Sequence, residues 1–123
     1  MRDRDTTNAK EEFLDLIGRY TTIDNLYCCA IRLRGENKDV RAELTTGFTQ
    51  EELTSFLSKI DVMYDSGYGG QRLFGNIWFK NGTWAERGEY DGSEWWEYHE
   101  YPAIPDNLNR IDKLRDKKLN EIL

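Results

Sequence analysis

The sequence predicts an α+β domain: a mostly antiparallel sheet of about five strands, a β-hairpin plus a three-stranded meander, with helices packed on one face in the order α-β-β-α-β-β-β-α. Three observations lead there. Two stretches place apolar residues at helical spacing directly behind capping residues, and others alternate in the period of half-buried strands. Two Asx-Gly pairs, Asn81-Gly82 and Asp91-Gly92, separate aromatic-rich runs in the manner of consecutive hairpins.

Residues 1–7 are expected to fray. Asn8-Ala9-Lys10-Glu11 then fits a helix start, the Asn oxygen accepting from an early N–H and Glu11 reaching back. Phe13, Leu14, Ile17 and Tyr20 continue it over about 9–19, and Gly18 weakens its end. Leu26 to Arg34 reads as a strand, with Tyr27, Cys29, Ile31 and Leu33 on one face and Leu26, Cys28 and Ala30 on the other. A polar turn follows from Arg34 to Asp39. Val40, Ala42 and Leu44 then alternate with Arg41, Glu43 and Thr45, so the two strands form a hairpin. Thr49-Gln50-Glu51-Glu52 is a capping box, with Phe48 placed to staple onto Leu53. Leu53, Phe56, Leu57, Ile60 and Met63 form one stripe, which carries this helix to about residue 64. The stretch from Asp65 to Gly70 breaks it. Meander strands are expected at about 73–80, 83–90 and 94–101. Pro102 and Pro105 end the sheet, and Asp106 caps a last helix, 106–123, carrying Leu108, Ile111, Leu114, Leu119 and Ile122 on one side.

A chain of 123 residues suits a single domain spanning 1–123. Its four Trp, seven Tyr and five Phe supply much of the apolar surface that a core needs. The only two cysteines, Cys28 and Cys29, are adjacent and point to opposite strand faces, so no disulfide or zinc site is expected. The charged start has no apolar stretch behind it, and no apolar run reaches membrane-spanning length. A cytoplasmic setting and no membrane association are expected. The net charge of −6 is uneven: residues 83–101 hold six acidic side chains against one Arg. That sign disfavours direct nucleic-acid binding and favours a protein partner with a basic surface.

Two-residue turns at both Asx-Gly pairs would match Lys80 with Thr83 and Tyr90 with Ser93. One face of the meander then holds Leu73, Ile77, Phe79, Trp84, Tyr90 and Trp95, with Gly75 and Gly88 opposite each other beneath the Trp95 indole. The other holds Phe74, Asn76, Trp78, Ala85, Arg87, Trp96 and Tyr98, with Arg87 beside Trp96 in cation–π distance. Large aromatics mixed with Arg and acids resemble an interface, and Trp78, Arg87, Glu89, Glu94, Trp96, Glu97 and Tyr98 form the expected binding surface. The plainer account is that a helix covers this face. The same register opposes Glu86 to Glu97 and Glu89 to Glu94, costing a few tenths to about 1 kcal/mol each. A three-residue turn over Tyr90-Asp91-Gly92 relieves both by pairing Arg87 with Trp95 and Trp84 with Tyr98. Both registers stay open at the level of sequence.

Chemistry has few footholds. Glu86 and Glu97, if opposed, could share a proton, hold a metal, or serve a hydrolytic or sugar- or nucleotide-binding site with stacking Trp and Tyr. His99, the single histidine, has no Ser or Cys in a nucleophile context. Ser66 to Gln71 is glycine-rich but lacks the Lys and the strand-to-helix setting of a phosphate loop. No catalytic set, metal site or cofactor is expected. The C-terminal helix, with alternating charge around its stripe, packs on its own sheet or pairs with a second copy as a homodimer.

The run from Asn76 to Tyr98, and above all Gly82-Thr83-Trp84, Glu86-Arg87 and Glu89-Tyr90-Asp91-Gly92-Ser93-Glu94-Trp95-Trp96-Glu97, resembles a motif of small accessory proteins of tailed phages and prophages. The likeness covers under a quarter of the chain. It implies a setting rather than an activity: a virus-encoded protein in a bacterial cytoplasm that binds and inhibits or modulates a host factor, such as a defence or nucleic-acid-handling protein. A non-enzymatic acidic binding protein is therefore the expectation.

Overall fold

The computed structural model describes residues 6–35, 38–65, 70–101 and 107. The elements are β1 (Thr6–Asn8), α1 (Ala9–Tyr20), a 3-10 turn (Ile23–Asn25), β2 (Leu26–Leu33), β3 (Val40–Leu44), α2 (Gln50–Lys59), β4 (Met63–Asp65), β5 (Leu73–Phe79), β6 (Trp84–Tyr90) and β7 (Ser93–His99). Five strands form one antiparallel sheet in the order β3-β2-β5-β6-β7, and β1 pairs with β4 in a separate ribbon. The α+β class and the five-stranded sheet agree with the sequence reading. The expected C-terminal helix and most of the glycine-rich stretch (66–69) lie outside the described residues.

Local chemistry explains both helix starts. Asn8 caps α1 by accepting from Glu11 N, and Thr49 and Glu52 close a reciprocal capping box on α2. The two helices cover one sheet face, α1 lying along β7 and α2 along β3. Phe13 and Phe56 meet edge-on at 5.3 Å between them. Beneath them lie Leu26, Cys29, Ile31, Leu33, Leu44, Leu73, Ile77, Phe79 and Trp96.

Four departures from the expected layout have identifiable causes. First, Thr6 and Thr7 are not frayed but pair with Asp65 and Tyr64. Second, α2 stops at Lys59 rather than near residue 64. Ile60 leaves helical geometry, Val62 N–H turns back to the Ile60 carbonyl at 2.8 Å, and the Val62 carbonyl accepts from Ala9 N. Met63 therefore sits exposed in β4 rather than on a helix stripe. Third, a bulge between Leu26 and Cys28 puts Leu26 and Cys29 on the same buried face and turns Tyr27 outward.

The fourth departure rearranges the meander. At the second hairpin both Asp91 and Gly92 have positive φ (51° and 87°), and Tyr90 pairs with Ser93, as a two-residue turn requires. The first hairpin is one residue longer. Gly82 N–H returns to the Phe79 carbonyl at 3.1 Å, only Gly82 is left-handed (φ 89°), and Phe79 N–H reaches the Thr83 carbonyl. Asn81 Oδ1 accepts from both Thr83 N and Thr83 Oγ1, which holds this three-residue loop. Trp78 consequently pairs with Trp84, and Ile77 with Ala85. A one-residue slip exchanges faces. Leu73, Ile77 and Phe79 share the helix side with Ala85, Arg87, Trp96 and Tyr98, while Trp84 and Trp95 join Trp78 on the open side. Gly75 and Gly88 are not partners: Gly75 lies on the helix side, and the space over Gly88 is taken by Trp95 Nε1 and the Glu97 carboxylate.

Two consequences can be measured. A methyl group on Gly75 would stand 2.5 Å from the Ala30 carbonyl oxygen, so the backbones of β2 and β5 would have to part. Gly75→Ala should cost about 2 kcal/mol in urea unfolding. Burial pushes the Cys29 thiol from 9.0 up to about 12, and the neighbouring Cys28 adds to this. The folded state thus keeps a proton that the unfolded chain loses above pH 9, so this stability is intact below that pH and is lost as pH rises toward 12. Between pH 8 and about pH 10 the parent should lose about 1 kcal/mol more than Cys29→Ala.

Candidate functional site

The sheet face opposite the helices carries no layer of its own among the described residues. The alternation of β5, β6 and β7 delivers Trp78, Trp84 and Trp95 to this face, and the β2 bulge adds Tyr27. Tyr27 is 48% exposed, Trp78 44% and Trp95 39%. Trp78 and Trp84 stand directly opposite each other. With Tyr27, Cys28, Lys80 and Tyr101 they line an open depression of about 810 Å³. Towards β3 the face mixes charge: Arg32 and Arg41 are cross-strand neighbours, Glu43 lies on the same face, Arg32 is paired with Asp39 at 3.1 Å, and its guanidinium lies 4.4 Å from the Phe74 ring centre.

Towards β7 the face turns acidic. Glu86 and Glu97 are directly opposed, so the like-charge pairing of the sequence reading is real. His99 Nε2 lies 2.9 Å from Glu86 and 3.6 Å from Glu97, without an aligned hydrogen bond to either, and Trp95 Nε1 donates to Glu97 at 3.0 Å. Trp84 stacks on His99 with ring centres 5.3 Å apart, and the Tyr101 ring lies tilted against Trp84 at 5.0 Å. Both carboxylates are solvent-accessible, and neither lines the aromatic depression. No group of three or more His, Cys, Asp or Glu among the described residues is arranged to hold a metal ion.

On the helix side a different cluster is buried. The Arg87 side chain, 2% exposed, reaches Glu12 Oε2 at 2.8 Å and Glu94 Oε1 at 2.8 Å, and donates to the Tyr64 hydroxyl at 3.1 Å. Tyr64 in turn donates to Glu12. Glu94 also accepts from Arg72 N and Leu73 N, at 2.7 and 2.9 Å. The guanidinium lies 5.0 Å from the Trp96 ring centre. Burial alone would lower the Arg87 pKa, but Glu12, Tyr64 and the hydrogen bonds to both carboxylates raise it, so the guanidinium stays charged. Burial pushes the Tyr64 hydroxyl up and keeps it a donor, against the pull of Arg87. This cluster binds α1, β4, β6, β7 and the start of β5 to one another.

The seven residues expected to form one binding surface are therefore divided. Arg87, Glu94 and Trp96 are buried on the helix side. Tyr98 is half-buried there, with Tyr20 stacked on it at 4.3 Å. Glu89, on the same side, is exposed and accepts from Gly92 N at the turn. Trp78 and Glu97 alone face the open side, where Trp84, Trp95, Glu86, His99 and Tyr101 join them. The one-residue slip hid the first two of these. Glu12 and Tyr64 were missed altogether. Glu12 left a trace, since it occupies an inward helical position between Ala9 and Leu16, whereas Tyr64 was concealed by reading β4 as helix.

Removing one member of the buried cluster leaves unpaired charge. Arg87→Met should destabilise by about 3–5 kcal/mol, and adding Glu94→Gln should cost less than the two single changes together, as read in a double-mutant cycle.

Compared with protein-family models, with curated proteins and with solved structures, the chain matches none.

Proposed function

We propose that this chain is a non-enzymatic binding protein of phage or prophage origin that docks a basic host protein on its open sheet face and so modulates or inhibits it. The observation carrying this reading is the opposed pair Trp78 and Trp84 on the open face, with the opposed Glu86 and Glu97 next along the strands and the exposed Trp95 beyond them. Rigid aromatics at the centre of a patch and charge at its rim are the usual anatomy of a protein interface. The strands hold these rings in place, so little ordering entropy opposes docking. The acidic edge would steer a cationic partner and set its orientation. The phage setting rests on the likeness of residues 76–98 alone. A second reading is favoured by the depression itself: Tyr27, Trp78, Trp84 and Tyr101 offer ring faces on which a sugar or nucleotide ring could stack. Titration with nucleotides and oligosaccharides, followed by Trp emission, tests it.

The protein reading is tested by affinity capture from a bacterial lysate, the retained protein then being titrated in purified form. The parent should retain a basic protein. Trp78→Ala with Trp84→Ala should weaken its binding at least tenfold, about 1.4 kcal/mol. Glu86→Lys with Glu97→Lys should weaken it and flatten its salt dependence. Retention unchanged in both double variants would remove the proposal.

A further inference from the structure

We propose that the depression beside the Asn81-Gly82 hairpin is a mononucleotide site, in which the base stacks on Trp78 and Trp84 and the phosphate meets Lys80. This rests on the depression taking a small ligand, the second reading of its function, and it names which one. Ring surface comes first. Phe79 N–H reaches the Thr83 carbonyl, so Trp78 and Trp84 form the adjacent, more closely spaced kind of cross-strand pair. His99 and Tyr101 back the Trp84 ring. Trp78 is 44% exposed and has no ring against it among the described residues. A planar base laid on this pair would meet a fixed aromatic surface, and every base has a face that stacks. The volume, about 810 Å³, is of the size that small-molecule sites have.

Charge then selects among ligands that carry a ring. Lys80 is the one charged side chain lining the depression among the described residues. It makes no ion pair among them, and its N–H holds the Asn25 carbonyl at 2.8 Å, which fixes where the side chain starts. An anion is favoured there. A sugar is not, because its hydroxyls call for carboxylates and carboxamides, and among the described residues none lines the depression. The Thr83 hydroxyl already donates to Asn81. The surroundings set the orientation and the number of phosphates. Glu86 and Glu97 stand two residues further along β6 and β7, about 7 Å from the Trp pair, on the side away from Lys80. They repel a phosphate from that side and leave the hairpin side for it. A nucleic-acid strand crossing the face would carry its phosphates past both carboxylates, so a free nucleotide with one phosphate group suits the lone ammonium best.

The test is calorimetric titration of the full chain with AMP, adenosine, a neutral oligosaccharide and a short oligonucleotide, with the indole N–H signals followed by NMR. AMP should bind about two- to fivefold more tightly than adenosine, an advantage that fades at high salt. The Trp78 and Trp84 signals should shift, and that of Trp95, outside the depression, should stay in place. Lys80→Met should bring AMP down to the affinity of adenosine, and Trp78→Ala should weaken both about tenfold. Both side chains are exposed, and unchanged signals from the buried core check that each variant is folded. AMP binding no better than adenosine, or untouched by Lys80→Met, overturns the proposal and leaves the depression as a site for uncharged rings. Binding of the oligosaccharide without the nucleotide also overturns it, while the small-ligand reading stands. Tighter binding of the oligonucleotide than of AMP overturns the free nucleotide as the occupant. If none of the four binds, the small-ligand reading falls together with this inference. Capture of a basic protein on the same face is decided separately from all of these outcomes.

Discussion

The charge of Arg87 is the constraint on which the architecture turns. A guanidinium taken out of water must be matched, and here it is matched by carboxylates from two distant parts of the chain, Glu12 on α1 and Glu94 on β7. The match sets the strand faces. With Arg87 and Glu94 turned inward, the period of two sends Glu86, Gly88, Trp95 and Glu97 outward. The open face is therefore the other side of the same commitment: its acidic edge and its Trp row cannot move inward without stranding the buried ions. The ribbon of β1 and β4 belongs to the same arrangement, since it carries Tyr64 to the cluster and joins the start of α1 to the end of α2.

The charge distribution looks different once the interior is known. The acidity of residues 83–101 reads in sequence as one anionic surface. In the fold, Glu94 is consumed internally by Arg87 and two backbone N–H groups, and Glu89 is turned toward Gly92. What remains towards β7 on the open face is the pair Glu86 and Glu97, with His99 beside it, while at the opposite edge Arg32 and Arg41 stand with Asp39 and Glu43.

Much of this was legible from local signals that do not depend on long-range packing. Both helix starts follow from side chains capping backbone within a few residues, and Asp91-Gly92 signals the second hairpin while leaving its register open. The first hairpin was misread because Asn81-Gly82 suits two loop lengths. The choice between them is made by the Asn81 side chain gripping Thr83, a hydrogen bond that composition does not reveal. One residue of loop was enough to exchange the faces of Trp84 and Trp95, and with them most of the candidate site. The β4 strand was invisible for a related reason: Met63 continues a helical stripe, and only the tight turn after Ile60 breaks the phase. The burial of Arg87 could not be read locally at all, because Glu12 lies on the first helix and the pairing is tertiary.

The position of Glu94 has a further consequence. Among the described residues β7 is an outer strand of the sheet. Such a border invites another chain to add a strand, and a flat aromatic face next to it would compound the hazard of aggregation. An inward-pointing charge on that strand, locked to Arg87, makes any shifted or stacked pairing carry an unmatched carboxylate with it, while Glu97 repels on the outward side. Aggregation is thereby opposed at the border nearest the exposed Trp95 ring.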